Sequence, residues 1–167
     1  MVKVKAPLIA ARRRAGQFII LVVEEGGERV PLTIVDSDTE AGTITLVFQA
    51  VGKSTMKLLR LNPGDSVAHL AGPLGKATHI EKYGTCVVVG GGYGVAPVVP
   101  IAKALHDAGN EIIAINGARS IADAREAARL ITSPSQNLMV AAADGGIAMY
   151  LTGRTPLRRA GDGSLPV

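Results

Sequence analysis

The chain is poor in residue types that define whole classes of proteins. Its 167 residues include a single cysteine, no tryptophan and only 3% aromatic residues. One cysteine excludes a disulfide framework within the chain, and it also excludes an iron–sulfur cluster held by several of its own thiolates. The scarcity of aromatic rings argues against nucleic-acid binding despite a net charge of +4, because few side chains can stack on bases.

A long uncharged stretch is present, but it does not predict a membrane span. Residues 83–102 carry no formal charge, yet they include five glycines, with Pro97 and Pro100 near the end. This composition predicts a buried strand, a turn and the start of a helix. The N-terminus lacks the apolar run of a signal peptide, so we expect a soluble cytoplasmic protein that contacts no membrane.

The first half of the sequence predicts a small antiparallel β-barrel. Short apolar runs bounded by turn residues indicate strands at 17–23, 30–35, 43–51 and 66–71. A helical stretch at 53–61 interrupts them. Strands at this spacing are typical of such barrels, and we place this domain at residues 1–80.

The second half predicts an α/β domain with a parallel sheet. Strands at 85–89, 111–115 and 138–143 alternate with helices at 96–108 and 121–131. The β-α-β-α-β order is typical of a doubly wound, Rossmann-like sheet, which we place at residues 81–146. Residues 147–167 show no clear period and predict a disordered tail.

The strongest local signal is the glycine-rich segment at 90–97. It lies between the strand at 85–89 and the following helix, where glycines let the backbone approach a phosphate and the helix N–H groups point at it. Val95 stands where the last glycine of a G-x-G-x-x-G motif would fall. A generic tight turn therefore remains an alternative.

Other candidate ligand contacts each have a plain structural alternative. Thr33 could hydrogen-bond the edge of a flavin ring and Arg29 could pair with a phosphate, but an ordinary strand with an exposed arginine has the same pattern. Ser54 and Thr55 open the short helix and could hold a diphosphate, although both residue types also cap helices. Arg119 follows the second parallel strand, where the adenosine end of a dinucleotide would lie.

No catalytic side chain or metal site is predicted. His69, His79 and His106 have no spacing to acidic residues or to Cys86 that indicates a triad or a set of metal ligands. We expect these histidines to have surface or packing roles. Cys86 is expected to pack as a small apolar residue within its strand.

Several of these segments occur in one order: APLIA (6–10), AGQF (15–18), PLTI (31–34), FQAVGKST (48–55), GPLG (72–75), GGGYGVAP (90–97) and GARS (117–120). With them the chain resembles the ferredoxin–NADP⁺ reductase superfamily, in which a flavin-binding barrel precedes a nicotinamide-nucleotide domain. It is most similar to the small flavin subunit of NADH-dependent ferredoxin:NADP⁺ oxidoreductase (sulfide dehydrogenase) and to dihydroorotate dehydrogenase electron-transfer subunits. The resemblance covers residues 3–120 and extends more loosely to 146.

The resemblance implies two cofactors, FAD in the barrel and NAD(P)H at the second domain. Hydride would pass from the nicotinamide to the flavin, and single electrons would then pass to an iron–sulfur cluster. The implied partner that holds this cluster is a larger flavin and iron–sulfur subunit, or ferredoxin. The implied cofactor-binding residues are Pro31, Leu32 and Thr33 at the flavin ring, Arg29, Gly52, Lys53, Ser54 and Thr55 at phosphates, Gly91, Gly92 and Gly94 at NAD(P)H, and Arg119 at its adenosine end.

The chain also departs from the family. Members have a further strand before Ala6, so the first strand of this barrel is expected to be incomplete, and the second domain lacks the later segment with the cysteines of a [2Fe–2S] cluster. We therefore expect a chain truncated at both ends. Two alternatives to a reductase subunit stay open: a module that binds nucleotide without redox turnover, and a non-functional remnant.

Overall fold

The structure, a computed structural model, describes residues 1–118, 136–142 and 147–152. The first part of the chain contains strands β1 (Val2–Lys5), β2 (Phe18–Val22), β3 (Val30–Asp38), β4 (Thr43–Leu46) and β5 (His69–Leu74), with helices α1 (Pro7–Arg12) and α2 (Lys53–Leu59). The second part contains β6 (Thr85–Gly91), a 3₁₀ turn (Gly92–Gly94), α3 (Val95–Asp107), β7 (Glu111–Ala118), β8 (Gln136–Ala142) and β9 (Ile147–Thr152).

The first sheet is antiparallel, with the strand order β1-β4-β3-β2-β5, and it curls into a half-barrel. Alternate residues of its strands point inward, as the two-residue period of a strand requires. The side chains of Ile19, Leu21, Ile34, Ile44 and Leu46 are at most 1% exposed and form the core. The predicted antiparallel flavin-barrel architecture is confirmed.

The edges of this sheet differ from the prediction. Residues 2–5 form β1, a four-residue strand that pairs with β4 at all four positions, and Val2 and Val4 pack against the core; that the first strand is incomplete stays a prediction. The strand predicted at 43–51 ends at Leu46. The strand predicted at 66–71 begins at His69 and continues to Leu74, through part of the segment predicted as a turn.

The second sheet contains three adjacent parallel strands, β6, β7 and β8, and the antiparallel β9 at its edge. Helix α3 connects β6 to β7 and packs Ala102 and Leu105 against Ile112, with the half-buried Cys86 and Val88 around them. The predicted parallel, Rossmann-like sheet and the packing role of Cys86 are confirmed.

Strand β9 corrects the prediction of a tail beginning at residue 147. The run IAMYLT (147–152) pairs with β8, and its apolar, strand-forming composition explains this pairing. The rest of the predicted tail and the predicted helix at 121–131 lie outside the described residues. None of the helices within the described ranges is long and apolar enough to cross a membrane.

Asn110 fixes the junction between the two parts. Its Oδ1 accepts hydrogen bonds from the backbone N–H groups of Tyr83 (2.5 Å) and Gly84 (3.0 Å). Its Nδ2 donates to the carbonyls of Glu81 (2.8 Å) and Leu105 (2.7 Å). This buried side chain thereby ties the segment before β6 to the end of α3.

Candidate functional site

The glycine-rich turn between β6 and α3 contains glycines of different kinds. At Gly90 an added Cβ would lie 3.0 Å from the Cα of Val95, so this glycine lets the start of α3 pack directly on the strand. Gly92 has a φ of +50°, a left-handed conformation that favours glycine. Both residues are explained by the fold itself.

Gly91 and Gly94 are not explained by packing or by backbone conformation. Gly94 has a φ of −64° and no heavy atom within 4 Å of an added Cβ, and Gly91 has a φ of −130° with only the carbonyl oxygen of Gly117 at 3.8 Å. The free protein would accept alanine at either position. A ligand that lies close against this backbone accounts for glycine at both.

The start of α3 is suited to an anionic group. The helix has 13 residues, no side chain caps its N-terminus, and its first turn contains no acidic residue. The Val95 N–H donates to the carbonyls of Gly92 and Tyr93, and Pro97 has no N–H. The positive end of the helix dipole is therefore the main attraction for an anion beside Gly91 and Gly94. A phosphate of a dinucleotide fits this arrangement.

Asn116 is a polar residue of this region that the sequence reasoning missed. It lies in β7 opposite Gly90 and is 0% exposed, yet neither its Oδ1 nor its Nδ2 has a hydrogen-bond partner within the described residues. Its signal in the sequence is a single amide in the inward series Ile112, Ala114, Asn116. A series of this kind otherwise contains apolar residues.

The predicted flavin-contacting residues lie on β3, which pairs with β2. Pro31, Leu32 and Thr33 pair with Ile20, Ile19 and Phe18, and Arg29 is exposed just before the strand. Helix α3 lies against β3. The structure therefore brings the predicted flavin strand next to the helix that follows the glycine turn.

The start of α2 has two kinds of contact. The Gly52 N–H donates to Thr55 Oγ1 at 3.0 Å, and that hydroxyl donates to the Gly52 carbonyl at 3.0 Å, so Thr55 has the capping role left open by the sequence. Ser54 Oγ, by contrast, donates to Glu28 Oε2 at 2.5 Å. A carboxylate thus occupies the position where a phosphate oxygen would meet Ser54.

Charged residues of opposite sign surround this helix start. Lys57 forms an ion pair with Glu24, and the hydrogen bond and positive charge of Lys57 lower the pKa of Glu24 from its ordinary value of 4.5. Lys53 lines the same cavity, of about 140 Å³, between α2 and the turn after β2. The lysines and Ser54 fit a diphosphate if the two glutamates move aside.

The remaining predicted residues add no second site. His69, His79 and His106 are exposed and lie near acidic side chains, in agreement with surface roles. Over the described ranges, no group of three or more His, Cys, Asp and Glu side chains is arranged to hold a metal ion. Arg119 lies outside the described residues.

An antiparallel half-barrel joined to a parallel sheet with a glycine turn defines the class of two-domain flavin and nicotinamide-nucleotide reductases. The chain is 43% identical over 117 residues to a dihydroorotate dehydrogenase B electron transfer subunit homolog of Thermotoga maritima, covering 70% of this chain and 42% of that one. It is 40% identical over 162 residues to an uncharacterized protein in the adh 3′ region of Clostridium beijerinckii, covering 93% of this chain and 54% of that one.

Among solved structures, the NADH-dependent reduced ferredoxin-NADP oxidoreductase superimposes with a TM-score of 0.74 and 35% identity, covering 90% of this chain and 53% of that one. In sequence and fold the chain is ferredoxin reductase-like, and several of its relatives are named electron transfer subunits. It spans about half the length of the relatives it matches.

A protein-family model described as penicillin amidase matches residues 79–167, just over half of the chain. This match and the relatives point to different classes of protein. The described residues of that range form the parallel strands, the glycine turn and helix α3. The superposition on the oxidoreductase structure covers 90% of this chain and therefore includes most of these elements. We therefore assign both parts of the chain to the reductase-like family.

Proposed function

We propose that this chain binds FAD and NAD(P)H and forms part of an electron-transfer subunit that passes electrons from NAD(P)H through FAD to an iron–sulfur partner. The observation that carries the proposal is the open backbone at Gly91 and Gly94, where neither φ nor packing requires glycine. A dinucleotide that lies against this turn explains why both positions are glycine. Relatives that are named electron transfer subunits support the redox role.

The half-barrel supplies the flavin side of the proposed site. Pro31, Leu32 and Thr33 would line the flavin ring. The backbone N–H groups after Gly52 would face the FAD diphosphate, and the side chains of Lys53, Ser54 and Thr55 would lie beside it. Arg29 would add a cation at a phosphate. FAD, when bound, accepts a hydride and releases single electrons, so the protein has only to position and polarise it. This fits a site for which no acid–base pair is predicted.

The glycine turn supplies the nucleotide side. The backbone of Gly91, Gly92 and Gly94 would lie against the dinucleotide, with the positive end of the α3 dipole near a phosphate and Arg119 near the adenosine end. Because α3 lies against β3, a nucleotide on the turn would be close to the flavin strand. That proximity is what hydride transfer requires.

The proposed electron acceptor is an iron–sulfur cluster outside these 167 residues. Cys86, the single cysteine of these 167 residues, is half-buried in β6 and cannot supply a set of thiolate ligands. We propose a larger flavin and iron–sulfur subunit as the partner, with ferredoxin as a further acceptor.

The test is a visible spectrum of the purified chain followed by anaerobic titration with NADH and with NADPH. We expect a yellow protein that binds a nicotinamide nucleotide and bleaches when it is added. Nucleotide binding without bleaching would contradict the redox role and favour a nucleotide-binding module. A colourless protein with a broad melt would indicate a remnant, and hydrolysis of a penicillin amide would favour the amidase match instead.

Variants of the turn sharpen the test. Gly91→Ala and Gly94→Ala should leave the melting temperature unchanged or raise it by about 2–4 °C, but weaken nucleotide binding by about tenfold or more, since the added methyl enters the ligand's space. Gly90→Ala is the matched control, because its Cβ meets Val95 and should lower stability. Unchanged nucleotide affinity in both open-position variants would contradict the proposal.

A further inference from the structure

The second part of the chain contains two buried asparagines whose hydrogen bonding is opposite. Asn110 is 4% exposed and uses both side-chain polar atoms in four hydrogen bonds. Asn116 is 0% exposed, and neither side-chain polar atom has a partner among the described residues. Burying an amide without partners destabilises a protein, so Asn116 has no structural justification comparable to that of Asn110.

The register of the sheet places Asn116 beside the glycine turn. It pairs with Gly90, and its side chain points to the same face as Ile112 and Ala114, the face covered by α3. Gly90 in turn packs against Val95, the first residue of α3. The Asn116 amide, which has no partner among the described residues, therefore lies next to the start of α3, where no side chain caps the backbone.

We propose that Asn116 is a positioning residue for the dinucleotide, an inference that rests on the proposed function. In the nucleotide-bound form its carboxamide hydrogen-bonds to the backbone of the glycine turn or the first turn of α3 and holds that backbone against the ligand. The hydrogen bonds missing in the free protein form on binding and add to affinity. Asn116 acts through the backbone and need not touch the nucleotide.

This role and a purely structural role predict opposite results for an apolar substitution of similar size. If Asn116 only stabilised the fold, Asn116→Leu would lower the free energy of unfolding. Nucleotide binding would then weaken only because a smaller fraction of the protein is folded. If it is a positioning residue, the same substitution removes an unsatisfied amide, so stability stays the same or rises while binding weakens.

The experiment compares wild-type protein, Asn116→Leu and Asn110→Leu by urea unfolding and by calorimetric titration with NADH and NADPH. We expect Asn116→Leu to have an equal or higher urea midpoint and a Kd about tenfold higher, the size of effect expected for one hydrogen bond. Asn110→Leu should lower the midpoint. Asn116→Ala is the second variant, and it should also weaken binding.

Two results would overturn the inference in distinguishable ways. Wild-type protein that binds neither nucleotide would overturn the proposed function together with this role. Wild-type protein that binds, with an unchanged Kd in both Asn116 variants, would overturn the role of Asn116 alone. A midpoint for Asn116→Leu as low as that for Asn110→Leu would assign the residue to the fold.

Discussion

Replacing Asn110 by alanine removes all four hydrogen bonds that tie the segment before β6 to the end of α3. The two backbone N–H groups of Tyr83 and Gly84 lose their acceptor, the Glu81 carbonyl loses its side-chain donor, and the Leu105 carbonyl keeps only the backbone N–H of residue 110. The side chain links residues 26–29 positions apart in three of these contacts. Its loss should therefore loosen the junction as well as the end of the helix.

The magnitude follows from the burial of each contact. A protein hydrogen bond contributes a net of about 0.5–1.5 kcal/mol, so four of them set an upper range of about 2–6 kcal/mol. Three of the contacts are only partly buried, and water can replace the side chain there. We expect the free energy of unfolding of the second part to fall by about 2–3 kcal/mol.

The assay is urea unfolding combined with amide hydrogen exchange. Asn110→Ala should lower the unfolding midpoint and speed exchange at the amides of Tyr83 and Gly84. Asn62→Ala is the control, because that asparagine is exposed and its side chain has no hydrogen bond among the described residues. A loss below about 0.5 kcal/mol would refute the reasoning from satisfied buried amides.

Three further results are expected. Gly72→Ala should lower the free energy of unfolding of the half-barrel by about 1–3 kcal/mol in urea melts, because its Cβ would lie 2.5 Å from Ile19 Cγ2; an unchanged midpoint would contradict this. The pKa of Glu24, followed by carboxyl NMR, should lie below 4.5 and return toward it in Lys57→Met. Since the folded pKa is the lower one, the stability from this pair is present above about pH 4.5 and lost as pH falls through the folded pKa. Glu28→Gln should tighten FAD binding by up to about fivefold in fluorescence titrations, because it removes a carboxylate from the proposed diphosphate position; weaker binding would show that the carboxylate assists it.

Much of the fold could be predicted from the sequence because local pattern and tertiary structure agree there. The short apolar runs at 17–23 and 85–89 are bounded by glycines and other turn residues, and they predict β2 and β6. The predicted strand boundaries were wrong where contacts with a neighbouring strand determine the secondary structure. Strand β9 depends on pairing with β8, and β5 extends past Gly72 because that residue must pass close to Ile19.

The candidate site was predictable in its position but less so in its chemistry. The sequence located Ser54 and Thr55 at the start of a helix, but only the structure separates them, since Thr55 caps the helix whereas Ser54 meets Glu28. Asn116 could not be singled out because burial and missing partners are properties of three dimensions. A single amide within a strand predicts neither of them.

The glycine turn shows how far identical residues can differ in what they contribute. Gly90 permits contact between strand and helix and Gly92 permits a left-handed backbone, so both would be needed in a protein that bound nothing. Gly91 and Gly94 have neither reason, and the buried Asn116 beside them has no side-chain hydrogen-bond partner among the described residues. Selection for stability alone would favour alanine at the open positions and an apolar residue at 116. That all three residues depart from this optimum at one place in the fold is the strongest argument that the turn binds a ligand.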